Sequence, residues 1–260
     1  MPLGLGRRSK AEIYSKAEIY MTTKQKTIIV TGASQGIGAA VANLFLDRGY
    51  NVVGNSRKIT HRNELESSKN LALVDGDIGL TSTAEMIVGT AVNRFGSVDA
   101  LVNNAGVFFP KPFTEYSPED FRVLSSTNLD GFLHTTQLAV RQMLSQKTGG
   151  SIVSITASIA DHPLAVFTAS VPMITKGGIN AISRSLAMEY APQGIRANVV
   201  APGVVDTPLH KNSPKERTLS PLGQLPCARD IAEAVFYLTE AGQVTGEVLH
   251  VDAGAHLGRW

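Results

Sequence analysis

The stretch Thr27-Ile28-Ile29-Val30-Thr31-Gly32-Ala33-Ser34-Gln35-Gly36-Ile37-Gly38 decides the fold. Its β-branched start, Thr27 to Thr31, reads as a strand, and Ile37, Val41, Leu44 and Phe45 behind it carry the spacing of a helix face. Between them sit the glycines. At a strand-to-helix turn, glycine permits the tight backbone path, and the missing side chain lets N–H groups approach a pyrophosphate at the positive end of the helix. A glycine turn with no ligand would use the same residues, but the flanking strand and helix favour the phosphate cradle.

Outward from this turn the pattern repeats. Candidate strands are Asn51 to Gly54, Leu71 to Val74, Ala100 to Asn103, Ser151 to Ile155, Arg196 to Val200 and Glu247 to Val251, which with the first makes seven. Helical periodicity lies between them, clearest in Ala84, Ile87, Val88, Ala91, Val92 and Phe95. Ser82 to Glu85 reads as a capping box at the start of that helix, and Ser117-Pro118 as a cap followed by proline at the first helical position. Strand–helix alternation with no Pro/Gly/Ser-rich linker predicts one α/β domain over residues 26–260. The expected architecture is Rossmann-like and doubly wound, a seven-stranded parallel sheet with helices on both faces.

Composition narrows the function classes. The chain has 260 residues, 43% hydrophobic and 18% charged, which suits a globular core and excludes disorder, collagen and coiled coil. Cys227 is the only cysteine, so no internal disulfide forms and no thiolate metal site is indicated; the reading is cytoplasmic. The pI near 8.6 arises in the first 26 residues. Six of the 24 Lys/Arg but only two of the 22 Asp/Glu lie there, leaving 18 basic against 20 acidic residues. No nucleic-acid partner is expected of such a body, and no apolar run reaches the length of a membrane span. Residues 1–25 read as a mobile tail. It contains the tandem Ser9 to Tyr14 and Ser15 to Tyr20, and the working protein is expected to begin near Met21.

The spacing Gly-x-x-x-Gly-x-Gly, from Gly32 through Gly36 to Gly38, resembles that of the short-chain dehydrogenase/reductase family, particularly 3-oxoacyl-carrier-protein reductases and sugar or steroid dehydrogenases. Asp77, Asn103-Asn104-Ala105-Gly106, Asn128, Ser158, Lys176, Pro202-Gly203 with Thr207, Thr245-Gly246 and Val251-Asp252 continue the resemblance over residues 26–255. It implies a nicotinamide cofactor held by Gly32, Ser34, Gln35, Gly36, Ile37, Gly38, Ser56, Arg57, Asp77, Ile78, Asn104, Ala105, Gly106, Lys176, Pro202, Gly203, Val205 and Thr207. It also implies a catalytic set of Asn128, Ser158 and Lys176, a small-molecule carbonyl or alcohol substrate, and a homo-oligomer, a tetramer in the expectation. Taken singly, Lys176 could be a solvated helix lysine, Ser158 a loop serine and Asn128 a helix asparagine bonded to backbone.

One position departs from the family. It carries a tyrosine four residues before the lysine, on the same helix face, and here that place is Pro172. The interval from Ser158 to Pro172 is 14, where the family has about 13. Proline fits the first turn of a helix but has no hydroxyl. General acid catalysis is worth about 10² to 10⁴-fold, and positioning of the reactants about 7 to 11 kcal/mol, so hydride transfer can survive this loss. Lys176 is one substitute; His162, Thr168 or Ser170 acting through water are others. Tyr116 and Tyr190 fall in other segments. The alternative is a catalytically inactive dinucleotide-binding subunit.

Cofactor choice is read at Ser56-Arg57. An acid there would bond the ribose 2′-hydroxyl of NAD; serine offers none, and the arginine fork pairs a 2′-phosphate, so NADP(H) is preferred with NAD(H) possible. Gln35 stands where a basic residue would strengthen that preference. A lid is expected over residues 207–229, with His210, Lys211, Lys215 and Arg217 giving it basic charge that solvation alone also explains.

Overall fold

A computed structural model describes residues 25–165, 167–207 and 220–258. The expected tail up to residue 24, and lid residues His210, Lys211, Lys215 and Arg217, lie outside the described residues. Seven strands form one sheet: β1 (Thr27–Thr31), β2 (Asn51–Ser56), β3 (Leu71–Asp75), β4 (Ala100–Asn103), β5 (Gly150–Ile155), β6 (Ile195–Pro202) and β7 (Val248–Val251). Their order is β3-β2-β1-β4-β5-β6-β7, parallel at every pairing. Helices are α1 (Gly36–Asp47), α2 (Thr81–Phe95), α3 (Pro118–Ser125), α4 (Gly131–Gln146), α5 (Ser170–Tyr190) and α6 (Ala228–Glu240).

Both faces of the sheet are covered, which is why its strands read as continuous apolar runs rather than alternating ones. All five residues of β1 are buried. On one face, Val41, Leu44 and Phe45 of α1 pack with Ile231, Val235 and Leu238 of α6. On the other, Ile87, Val88 and Ala91 of α2 meet Ala139, Val140 and Met143 of α4 and Ala187 of α5. Phe45, fully buried, lies edge-on to Tyr50 at 4.9 Å between centroids. Truncating such a side chain to alanine costs about 3 to 5 kcal/mol. The order of strands reverses at β1 and β4, so the carboxyl ends of these two open a crevice between the connections that leave to either side.

Helix starts divide the sequence expectations. Ser117 caps α3 as its sequence predicts: its hydroxyl accepts from Asp120 N at 3.1 Å, Asp120 Oδ2 accepts from Ser117 N at 2.8 Å, and Pro118 stands at the first position. Ser82 does not cap α2. The cap is Leu80, whose carbonyl already accepts from Thr83 N at 3.0 Å. The turn Asp77 to Leu80, closed by Leu80 N on Asp77 O at 3.1 Å, brings the chain into helical geometry early and leaves Ser82 inside the first turn.

Candidate active site

The floor of the crevice is made by the glycine turn and the segment after β4. Gly32 has φ +67°, and a Cβ there would lie 2.8 Å from Ala105 Cα. A Cβ on Gly38 would lie 2.2 Å from Gly32 O, so only glycine lets α1 close on the turn. Thr31 Oγ1 accepts from the N–H groups of Asn104 (3.1 Å) and Ala105 (3.0 Å) and donates to Val102 O at 3.3 Å. Asn104 Nδ2 returns two bonds, to Thr31 O at 3.0 Å and Gly32 O at 3.1 Å. These contacts lock the ends of β1 and β4 together.

Above this floor runs a cleft of about 1070 Å³. Every residue that the sequence assigns to the cofactor lies on its wall: Gly32 and Ser34 to Gly38 at the turn, Ser56 and Arg57 after β2, and Asp77 and Ile78 after β3. Asn104 to Gly106 after β4, Lys176 on α5, and Pro202, Gly203, Val205 and Thr207 after β6 complete it. The size and the cradle a Cβ would fill fit a dinucleotide. Asn55, which sequence reading passed over, lines the cleft at the end of β2: its buried amide donates to Val74 O (2.9 Å) and Gly76 O (3.3 Å), holding β2 and β3 together at their ends. Its only sequence signal is a polar residue at the end of an apolar strand.

Ser158 and Lys176 reach the same wall from β5 and α5, whereas Asn128 does not line the cleft but is buried behind it. Between α3 and α4 the helix is continuous and widens into a π turn over Ser126–Asp130 with Asn128 at its centre. Its Oδ1 accepts from Val107 N at 2.8 Å and its Nδ2 donates to Val107 O at 3.1 Å and to Thr175 Oγ1 at 3.0 Å. Asn128 thus joins the segment after β4 to α5.

Lys176 Nζ donates to Ile155 O at 3.0 Å, at the end of β5. The residue as a whole is only partly covered, but its ammonium end is enclosed, and this desolvation pulls its pKa from the ordinary 10.5 to about 8. Gly106 lies beside it, where a Cβ would stand 3.2 Å from Asn128 Oδ1 and 3.4 Å from Nζ.

Pro172 is the third residue of α5, buried, one turn before Lys176. A missing N–H costs nothing in a first turn, and Pro172 O accepts from Thr175 Oγ1 at 2.8 Å. Among the described residues no tyrosine lines the cleft: Tyr116 Oη donates to Phe109 O at 2.8 Å, and Tyr190, which the sequence reading set in another segment, ends the same helix as Lys176, several turns beyond it. Of the substitutes considered from sequence, only Lys176 lines the cleft. His162 instead packs its ring against His250 (5.0 Å) and His256 (5.3 Å), and His256 Nδ1 lies 2.9 Å from Asp252 Oδ1. Among the described residues, no group of three or more His, Cys, Asp or Glu could hold a metal ion, and no helix is long and apolar enough to cross a membrane.

A nucleotide cradle at the switch point of a doubly wound sheet, with serine and lysine at its far end, defines a dinucleotide-dependent oxidoreductase. Comparison agrees: residues 32–256 match the family described as enoyl-(acyl carrier protein) reductase, and the chain belongs to the short-chain dehydrogenase/reductase family. It is 34% identical to 3beta-hydroxysteroid dehydrogenase 1 of Eggerthella lenta over 257 residues, covering 92% of this chain and 97% of that protein. The structure of 3-ketoacyl-(acyl-carrier-protein) reductase from Brucella melitensis complexed with NADH superposes with a TM-score of 0.82 at 27% identity, covering 90% of this chain and all (100%) of that one. ElxO with NADP bound gives 0.83 at 27% identity, with coverage of 90% and 100%.

Proposed function

We propose that this chain reduces a small carbonyl compound, or oxidises the corresponding alcohol, with NADP(H) preferred over NAD(H), and that Lys176 handles the proton that a tyrosine would otherwise carry. The observation that carries this reading is Lys176 itself, a residue of the cleft wall one turn from Pro172, whose ammonium is held at the end of β5 with its pKa lowered to about 8. An acid poised near working pH is the efficient one. A bound nicotinamide cofactor supplies or accepts the hydride. Ser158 polarises the carbonyl by donating its hydroxyl proton in a hydrogen bond. As the carbonyl oxygen becomes an alkoxide, the Lys176 ammonium gives it a proton, leaving a neutral amine that solvent reprotonates. Asn128 fixes α5 against the segment after β4, so the lysine keeps its position. Arg57 supports the NADP preference by offering a planar fork where Ser56 brings no carboxylate.

Phe108, Phe109, Leu164, Phe167, Val204 and Leu225 line the same cleft as Ser158 and support an apolar substrate. The reading takes residues 26–260 as one oxidoreductase domain with its lid over residues 207–229. An exposed free thiol at Cys227 supports a cytoplasmic setting. Exposed Phe121 and Val123 on α3, and Ile174 and Ile182 on α5, support assembly as a homo-oligomer, for which we take a tetramer. NADPH oxidation measured against apolar ketones, aldehydes and quinones tests the activity. Turnover that disappears in Lys176→Met is expected; tight NADPH binding with no turnover on any of them would make the chain a binding subunit instead.

A further inference from the structure

The connection between β2 and β3 folds back onto the glycine turn and carries an acid there. Ile59 anchors it, fully buried, and Thr60 N donates to Asp75 Oδ1 at 2.9 Å. Asn63 Nδ2 donates to Ile59 O at 2.7 Å, and Asn63 Oδ1 accepts from Leu65 N at 2.9 Å. Glu64 between them is held by its backbone: its N–H donates to Ser34 O at 3.0 Å and its carbonyl accepts from Asn43 Nδ2 of α1 at 3.2 Å. Its exposed side chain then has a fixed base, and its Oε2 accepts from Gly36 N at 3.2 Å. Gly36 opens α1, whose capping residue Gln35 makes no side-chain cap bond. The Glu64 carboxylate takes one of the donors that such a helix start leaves free.

This places a negative charge on Gly36 N, next in sequence to Ser34 and Gln35, and all three line the cleft that Ser56 and Arg57 also line. We propose that Glu64 is a cofactor-specificity residue, whose carboxylate opposes a 2′-phosphate at this pocket and so offsets Arg57, keeping NAD(H) usable. The proposal rests on the nucleotide reading above. It acts through charge: one unit within a Debye length of a dianionic phosphate, in partly exposed surroundings, changes affinity severalfold.

The test is a fluorescence titration of the full chain with NADPH and NADH, for wild type, Glu64→Gln and Glu64→Ala. Glutamine keeps an oxygen acceptor for Gly36 N–H while removing the charge. The NADPH dissociation constant should fall about three- to tenfold in Glu64→Gln at low salt, with NADH changed less than about twofold, and the gain should shrink at high ionic strength. An unchanged NADPH to NADH ratio in Glu64→Gln overturns the proposal. So does a gain confined to Glu64→Ala, which would assign the effect to shape rather than charge. Failure of the wild type to bind either nucleotide is a different result, and overturns the nucleotide reading itself.

Discussion

Asn128 Nδ2 donates to Thr175 Oγ1 at 3.0 Å, and this one bond couples the π turn between α3 and α4 to the first turns of α5. Thr175 passes the constraint on, donating to Pro172 O at 2.8 Å, and it is fully buried. Thr175→Val keeps the shape and removes both bonds. It should cost about 1 to 3 kcal/mol in a thermal or urea melt, because the Asn128 amide is left buried with one donor unpaired. Thr175→Ser should recover most of the loss. Equal melts for threonine and valine would mean that the coupling is not used.

Lys176 gives the pH dependence its sign. Its pKa is lowered to about 8 by desolvation, and the ammonium is the form that donates a proton. Carbonyl reduction should therefore be fullest below about pH 8 and decline as pH rises through it. Folding favours the neutral amine, so the stability linked to this group increases from about 8 toward 10.5 rather than falling. An initial-rate profile at saturating substrate, flat from pH 6.5 to about 9.5, would remove Lys176 from the proton step.

At the far end of the sheet, His250 lies 4.5 Å from His256 between ring centroids and 5.0 Å from His162. Burial, then the charges of His256 and His162, lower its pKa below the ordinary 6.5, while Asp252 and Asp161 act the other way. A depressed histidine stabilises the fold above its unfolded pKa, and that stability is lost as pH falls through the range below about 6.5. Melting temperature should drop toward pH 5 in the wild type and drop less in His250→Asn. Parallel curves would contradict this.

Two glycine substitutions should differ sharply. Gly38→Ala forces a Cβ to 2.2 Å from Gly32 O and should abolish nucleotide binding with a loss of stability of about 1 to 3 kcal/mol or more. Gly89→Ala, inside α2 with nothing within 4 Å, should be neutral or stabilise by about 0.5 to 1 kcal/mol. Melts and NADPH titrations of the two variants side by side check both.

Much of this was legible in the chain because it is written in local patterns. Strand β4 runs from Ala100 to Asn103 as its sequence predicts, and the residues expected around the cofactor line a single cleft, because they sit at strand ends and a parallel sheet gathers those ends on one edge. What escaped depends on partners distant in sequence. Strand β6 extends to Pro202 because β7 pairs with it there, through Pro202 and Val251. The acid that faces the glycine turn comes from Glu64, 28 positions from Gly36, inside a polar connection with no periodicity to read. Asn128 was found by resemblance, yet its π turn and its bond to Thr175 leave no mark in the local sequence.

The central claim, an oxidoreductase whose proton passes through Lys176 because Pro172 has displaced tyrosine, is tested most directly by Pro172→Tyr. The substitution returns a phenol to the helix face of Lys176, one turn away. Pro172 is buried, so the larger side chain should cost about 1 to 3 kcal/mol, which a thermal melt must show to be tolerated. The measurement is NADPH oxidation by wild type and variant on one panel of apolar carbonyls. The account predicts measurable wild-type turnover and a rise of about 10-fold or more in the variant, in line with what a general acid contributes. A folded variant that binds NADPH, yet like the wild type turns over nothing, would contradict it.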